Sequence, residues 1–154
     1  MYREHVMVDN NTNELLNSEQ FRRRTTVDYV ERLEPGEVFV FGSNPLGWHG
    51  GGAAAMAHMF FGAVWGQGTG LQGQSYAIPT VNVAFEKIGS YVDEFLVFAK
   101  EHPELRFLVT GIGCGVAGYS PEEIAPLFHD AIGLENVSLP ESFWRVLFSD
   151  VDEQ

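Results

Sequence analysis

The feature that most limits how this chain can fold is a short apolar run that ends in a glycine-rich turn. Residues 38–41 have the sequence VFVF, a continuous β-branched and aromatic segment typical of a strand with both faces covered. The turn GSNPLGWHGGG follows, and AAAMA then begins a run of helix-forming residues. A strand buried on both faces that leads into a helix indicates a parallel sheet with helices packed on it.

A second segment repeats this order further along the chain. Residues 105–113, LRFLVTGIG, predict another buried strand, and GIGCGVAGYS continues it as a second glycine-rich turn. The helix that follows has a clear start, with Ser120 as N-cap, Pro121 at the first position and Glu123 at the third. These three residue types in that spacing favour helix initiation.

The remaining pattern completes an α/β chain. Residues 62–74 are rich in glycine and are predicted to be loop. Further strands are expected at 75–79 and 136–140, and helices at 22–33, 51–60, 88–102, 120–128 and 142–148. The helix at 51–60 would bury Ala53, Met56, Ala57 and Phe60. This alternation predicts a three-layer α/β/α sandwich with a mixed, mostly parallel sheet.

Composition sets the domain organisation and excludes several classes of protein. At 154 residues the chain fits one domain, predicted at 21–154 and preceded by a polar arm, 1–20, that is either flexible or a strand docked on the body. The formal charge of −12 repels polyanions, so no nucleic-acid partner is expected. No apolar run is long enough for a membrane span, and the start of the chain lacks a signal-peptide pattern.

The cysteine and histidine residues limit which disulfides and metal sites the chain can form. One cysteine, Cys114, excludes an internal disulfide, and with the missing signal peptide it favours the cytoplasm. His5, His102 and His129 lack ligand spacing, so neither a metal site nor a cofactor is expected. The oligomeric state stays open.

The two glycine-rich turns share a place in the predicted sheet. Both follow the carboxyl end of a buried strand, where ligands bind in open α/β sheets. Both lead to the N-terminus of a helix, whose free N–H groups favour phosphates. Two such turns side by side suit a diphosphate, and Gly50, Gly51 and Gly52 would let the backbone approach it. Tight turns and close packing of helix on sheet would equally explain the glycines.

These residues resemble the macrodomain family, the module known for binding ADP-ribose. VFVFGSN-PLGWH-GGGAAAMA follows the family's order of strand, asparagine, glycine triplet and small-residue helix, with Asn44 at the asparagine. The segment from Gly113 to Glu123, GCGVAGYSPEE, has the spacing of the family's second loop. The resemblance covers about half the chain. It departs from the family in the missing Gly-Asp-Ile-Thr motif and in Ala117, which stands where the family has an aromatic residue.

The resemblance implies a macrodomain-like domain that binds ADP-ribose or a related nucleotide diphosphate between the two loops. From the first loop the predicted ligand-binding residues are Gly42, Ser43, Asn44, Gly50, Gly51, Gly52 and Ala53. From the second they are Gly113, Cys114, Gly115, Val116, Ala117, Gly118 and Tyr119. Trp48, Trp65 and Tyr119 are candidates for stacking on a base or ribose.

Whether the chain hydrolyses its ligand is left open by the sequence. Asn44 could orient a water, or simply bond to its own turn. His49 could act as a base near neutral pH, or be an exposed loop residue. An ADP-ribosyl hydrolase would use these two as catalytic residues, but no carboxylate is placed in either loop. The alternatives are a nucleotide hydrolase or glycosidase of another Rossmann-like family, and a non-catalytic phage or bacterial interaction protein.

Overall fold

A computed structural model describes residues 11–151, which fold as one sheet with helices on both faces. The helices are α1 (residues 11–17), α2 (Glu19–Arg22), α3 (Gly52–Phe60), α4 (Phe85–Glu101), α5 (Pro121–Ile124) and α6 (Glu141–Val151), and a 3-10 helix (Ala125–Gly133) continues α5. The strands are β1 (Thr25–Thr26), β2 (Glu37–Ser43), β3 (Gly70–Gln72), β4 (Ser75–Pro79), β5 (Arg106–Val109) and β6 (Val137–Pro140).

The sheet has six strands in the order β1-β6-β5-β2-β4-β3. Every neighbouring pair is parallel except β3 with β4, which is antiparallel. Strand β2 lies in the middle, between β4 and β5, because it is apolar on both faces. The predicted α/β sandwich with a mixed, mostly parallel sheet is confirmed.

The two faces of the sheet are covered unequally. Val38 and Val40 of β2 point into a large core that α4, α6 and the 3-10 helix cover. Phe39 and Phe41 point into a smaller core beneath α3. Ala54 and Ala57 are the buried residues of α3, and their small side chains let this helix lie close to the sheet. The second face is therefore covered by α3, which lies over the centre of the sheet and its β4 side.

The prediction of a helix over residues 22–33 is wrong beyond its first residue. Helix α2 ends at Arg22, and Thr25 and Thr26 form β1 at the edge of the sheet, parallel to β6. The chain leaves the helical pattern because Arg24, which lies between α2 and β1, is buried, with 4% of its surface exposed. Its guanidinium donates to four carbonyl oxygens, those of Ala131 (2.6 Å), Leu134 (2.8 Å), Ile132 (3.1 Å) and Val137 (3.1 Å).

Three other expectations change in the structure. Residues 11–17 of the predicted arm are helical rather than a strand, and Leu16 joins the large core; residues 1–10 lie outside the described part. The predicted loop at 62–74 contains β3. Phe60, expected on the buried face of α3, is 60% exposed, because the next residue, Phe61, packs into the smaller core instead.

The helix predicted at 120–128 changes its geometry after four residues. Pro126 has no N–H to continue the α-helical ladder, and the chain goes on as the 3-10 helix. The predicted start of α5 is confirmed, since the Ser120 side chain accepts from the Glu123 N–H and the Glu123 carboxylate accepts from the Ser120 N–H.

Candidate ligand-binding crevice

A crevice of about 450 Å³ opens where β2, β4 and β5 end. Both glycine-rich loops contribute to it, together with the residues that directly follow β4 and β5. It is lined by Gly42, Ser43, Asn44, Trp48, Gly50, Gly51, Gly52, Ala53, Ala54, Thr80, Val81, Thr110, Gly111, Ile112, Gly113, Gly115, Val116 and Ala117. This is the carboxyl edge of a parallel sheet, where α/β proteins bind ligands.

The floor of the crevice requires a residue without a side chain at Gly42. A Cβ built there would lie 2.9 Å from the Thr80 hydroxyl oxygen, closer than real contacts allow. Thr80 is held beside β2 because its N–H donates to the carbonyl oxygen of Ser43 at 2.8 Å. On the other side the Thr110 hydroxyl donates to the carbonyl oxygen of Val40 at 2.9 Å. The three strand ends are thus tied together beneath the opening.

The side chain of Asn44 closes the turn that carries Trp48. Its amide nitrogen donates to the Trp48 carbonyl oxygen at 2.9 Å, and its amide oxygen accepts from the Trp48 N–H at 3.0 Å. Asn44 therefore acts on the crevice by fixing this turn. Trp48 is 59% exposed and lies on the crevice wall, where its indole is free to stack on a planar group.

The N-terminus of α3 faces the crevice without a capping side chain. Its N-cap is Gly51, and no side chain bonds to the first turn, which has no acidic residue. Within residues 11–151, the N–H groups of Gly52, Ala53 and Ala54 find no protein acceptor. These are the donors that helix N-termini offer to anions.

The triplet itself does not need glycine for packing inside the protein. No heavy atom of residues 11–151 lies within 4 Å of a Cβ built at Gly50, Gly51 or Gly52. Of the three, only Gly52 has a left-handed backbone, with φ of 57°. Tight packing of helix on sheet therefore does not explain Gly50 and Gly51, whose Cβ positions face open space.

The second loop presents a further row of free donors. Gly115, Val116 and Ala117 line the crevice, and in the part of the chain that the structure describes their N–H groups bond to no protein acceptor. Helix α5 behind them is different, because Ser120 and Glu123 already cap it. The sequence predicted two helix N-termini with free N–H groups at the crevice. The structure has one, that of α3, and it faces a loop whose N–H groups are free.

Four of the predicted site residues lie outside the crevice. His49 is 2% exposed, and its Nε2 lies 2.8 Å from the carbonyl oxygen of Val64, so it is not the exposed loop residue that the sequence allowed. Tyr119 packs on Phe85 at a ring distance of 5.5 Å. Cys114 and Gly118 also do not line the opening. Trp65 lies against His49 and His58 instead.

Cys114 is poorly suited to nucleophilic chemistry. Burial raises the pKa of its thiol, and the nearby carboxylates of Glu122 and Glu123 raise this pKa further. A raised pKa keeps the group as a neutral thiol, whereas the thiolate is the reactive form. The half-buried side chain instead packs against the large core.

The crevice holds no charged or titratable side chain among the residues that the structure describes. The residues that line it fall within two stretches of the sequence, 38–85 and 107–121, that contain no Asp, Glu, Lys or Arg. The negative charge of the chain is therefore kept away from the opening. Thr80, Val81 and Thr110 were missed in the sequence, although each follows directly after a buried strand, and that position was the available signal.

The comparisons with known proteins return no neighbour. No protein-family model, no curated protein and no solved structure matches the chain significantly. Within residues 11–151, no helix is both long and apolar enough to cross a membrane. No group of three potential metal ligands is found in the same residues. The class defined by fold and site is an α/β protein with an uncharged crevice at the carboxyl edge of its sheet.

Proposed function

We propose that this protein binds ADP-ribose or a closely related nucleotide diphosphate in the crevice. The observation that carries the proposal is the open N-terminus of α3, whose free N–H groups at Gly52, Ala53 and Ala54 share the crevice with those of Gly115, Val116 and Ala117. Backbone donors of this kind bind phosphates without a cationic side chain. Two separate rows of donors suit two linked phosphates.

The rest of the ligand has matching features in the crevice. The indole of Trp48 offers an exposed aromatic surface for a base or a ribose ring. A volume of about 450 Å³ falls within the usual range for a small-molecule site. The resemblance of both loops to macrodomains favours ADP-ribose among nucleotide diphosphates.

Binding without hydrolysis is the better-supported activity. General acid–base catalysis needs a titratable group within hydrogen-bond reach of the reacting atoms, and the described crevice residues include none. The amide of Asn44 is engaged by Trp48, and His49 is buried behind the loop. We therefore propose that the protein binds ADP-ribose without hydrolysing it. The test is arranged so that turnover would also be detected.

The test measures thermal stability and calorimetric binding with ADP-ribose, AMP and ribose 5-phosphate. A ligand that binds only the folded state raises the melting temperature by mass action. We expect a clear rise with ADP-ribose and smaller rises with the two fragments, each of which offers one phosphate. Chromatography after incubation with an ADP-ribosylated protein would reveal turnover. No melting shift with millimolar ADP-ribose would contradict the proposal and favour an interaction protein.

Glycine variants locate the phosphates within the crevice. Gly50 and Gly115 have open space at the Cβ position and no left-handed backbone, so Gly50→Glu and Gly115→Glu can fold without strain. Either carboxylate would occupy and repel the phosphate position, and we expect at least a hundredfold weaker ADP-ribose binding. Gly133→Glu is the matched control, since Gly133 is equally open but lies outside the crevice. Parental affinity in both crevice variants would place the phosphates elsewhere.

A further inference from the structure

The floor of the crevice carries a polar side chain that the protein itself does not use. Thr80 follows β4 directly and is 4% exposed. Within residues 11–151 its hydroxyl has no hydrogen-bond partner, although its backbone N–H donates to the Ser43 carbonyl oxygen. The hydroxyl lines the crevice and keeps access to it, whereas the unpartnered hydroxyl of Thr26 is fully buried. Because buried hydroxyls are normally hydrogen-bonded, an unpartnered one at an opening points to a ligand atom.

The other polar side chains of the crevice are mostly engaged within the protein. The Ser43 and Thr110 hydroxyls donate to backbone carbonyl oxygens at 2.5 and 2.9 Å. The Asn44 amide is bound to the Trp48 backbone through both its oxygen and its nitrogen. Among the lining residues that the structure describes, two polar side-chain groups are left for a ligand, the indole N–H of Trp48 and the hydroxyl of Thr80.

A backbone donor lies on the same part of the floor as the Thr80 hydroxyl. A Cβ built at Gly42 would lie 2.9 Å from the hydroxyl oxygen and 3.8 Å from the Gly113 nitrogen. The Gly113 N–H finds no acceptor in the described part of the chain. The third neighbour of this point, at 3.9 Å, is the side chain of Ile112, which is buried. We call these four residues the floor recess, which is uncharged and offers one hydroxyl and one free N–H.

The chemistry of the floor recess favours a neutral hydroxyl over a phosphate. An ionised phosphate has only acceptor oxygens, so it would not use the acceptor capacity of the Thr80 oxygen. It would also bring its charge to a buried part of the crevice in which no described side chain is cationic. A ligand hydroxyl can donate to the Thr80 oxygen and accept from the Gly113 N–H at the same time.

We propose that Thr80 determines the specificity of the crevice by binding a hydroxyl of the ligand's terminal sugar, the ribose beyond the diphosphate in ADP-ribose. The inference rests on the proposed function. Trp48 is 59% exposed and offers its flat indole to the large planar base, whereas the floor recess takes the smaller sugar, which carries hydroxyl groups. The diphosphate between them reaches the free N–H groups of α3 and the second loop. The ligand class is thus a diphosphate with a terminal sugar rather than a nucleoside diphosphate alone.

The test compares ADP-ribose with ADP, which has the base and both phosphates but no terminal sugar. Titrations followed by backbone amide resonances give the dissociation constants, including those of weak ligands. Thr80→Ala and Thr80→Ser form a matched pair that differs only in the hydroxyl. We expect Thr80→Ala to bind ADP-ribose at least about tenfold more weakly than Thr80→Ser does, and the two variants to bind ADP equally. Their melting temperatures without ligand should match, because the hydroxyl has no partner in the described protein.

The control is Thr69→Ala, since Thr69 is exposed and lies outside the crevice, and it should bind both ligands as the parent does. Equal weakening of ADP and ADP-ribose by Thr80→Ala would place the hydroxyl against the phosphates or the first ribose and overturn the proposal. Equal binding of ADP-ribose by the two Thr80 variants would also overturn it, while binding by the parent would still support the proposed function. A parent that does not bind ADP-ribose would overturn both.

Discussion

At the scale of single residues, Arg24 joins parts of the chain that are more than a hundred positions apart. Its guanidinium lies over the rings of Phe21 and Trp144, 5.2 and 5.0 Å from the ring centres, and the two rings contact each other edge-on. The Trp144 indole N–H donates back to the Arg24 carbonyl oxygen at 2.8 Å. Burial lowers the pKa of Arg24, with the positive charge of Arg106 adding to this and Glu135 opposing it. Because arginine stays protonated even so, the carbonyl oxygens hold a buried cation.

Removing the Arg24 side chain should be severely destabilising. Arg24→Met removes the guanidinium donors from four carbonyl oxygens at the end of the 3-10 helix and the start of β6, of which those of Ala131 and Leu134 keep one backbone N–H each. We expect a loss of roughly 3 kcal/mol. Arg24→Lys should recover only part of this, since an ammonium group has three donors for four oxygens and lacks the planar surface that lies over the two rings. Urea unfolding measures both variants.

The neighbouring Arg22 provides the control for this prediction. Arg22 is exposed at the end of α2, and Arg22→Met should change stability by no more than about 0.5 kcal/mol. An Arg24→Met protein as stable as Arg22→Met would show that water replaces the guanidinium at little cost.

At the scale of elements, the turn between β2 and α3 is held from both sides. The Asn44 side chain spans the turn to Trp48, and the Gly66 N–H donates to the Gly47 carbonyl oxygen at 2.8 Å. Gly47 has φ of 70°, and a Cβ there would lie 2.3 Å from the backbone of Gln67. The turn is therefore packed directly on the loop before β3, which keeps Trp48 at the crevice.

Loosening this turn should weaken ligand binding as well as the fold. Asn44→Ala removes two hydrogen bonds worth about 1 kcal/mol each, and we expect about tenfold weaker ADP-ribose binding, or 1.4 kcal/mol. Asn44→Asp keeps the acceptor for the Trp48 N–H and should lose less. Calorimetry gives the affinities, and the NMR relaxation of the Trp48 indole N–H reports the mobility of the turn. Parental binding with lost turnover of an ADP-ribosylated protein would instead assign Asn44 to chemistry.

At the scale of the whole molecule, the charge distribution sets how salt affects binding. The chain carries −12, yet the crevice segments carry no charged side chain. An anionic ligand that binds as we propose would be repelled at long range and held at short range by backbone dipoles, which salt screens poorly. This is the reverse of a phosphate site built from lysines and arginines.

ADP-ribose should therefore bind more tightly as salt is added. Between about 20 and 200 mM sodium chloride the Debye length falls from roughly 20 to 7 Å, and we expect the dissociation constant to fall about two- to threefold. Calorimetry at several salt concentrations measures this, with the Gly133→Glu variant showing a slightly steeper trend. A steep loss of affinity with salt would mean that cationic side chains hold the ligand.

The sequence by itself determined the class of fold and the place of the crevice. VFVF and the capping box of Ser120 and Glu123 are local patterns, because the strand period, the helix cap and the turn preferences act between residues close in the chain. Together with the apolar runs at 75–79 and 105–113, they predicted β2, β4, β5 and the start of α5, and with them the sheet edge at which the two glycine-rich loops meet.

Only the tertiary structure decided which groups are available at that edge. The burial of His49, the turn bonding of Asn44 and the closure of α5 by its own side chains depend on contacts that no local pattern contains. Thr80 and Thr110 enter the crevice because β4 and β5 flank β2 in the sheet. Arg24, in a segment with a helical pattern, is buried because its acceptors come from residues 131–137. Long-range pairing overrides local propensity wherever a buried polar group must find its partners.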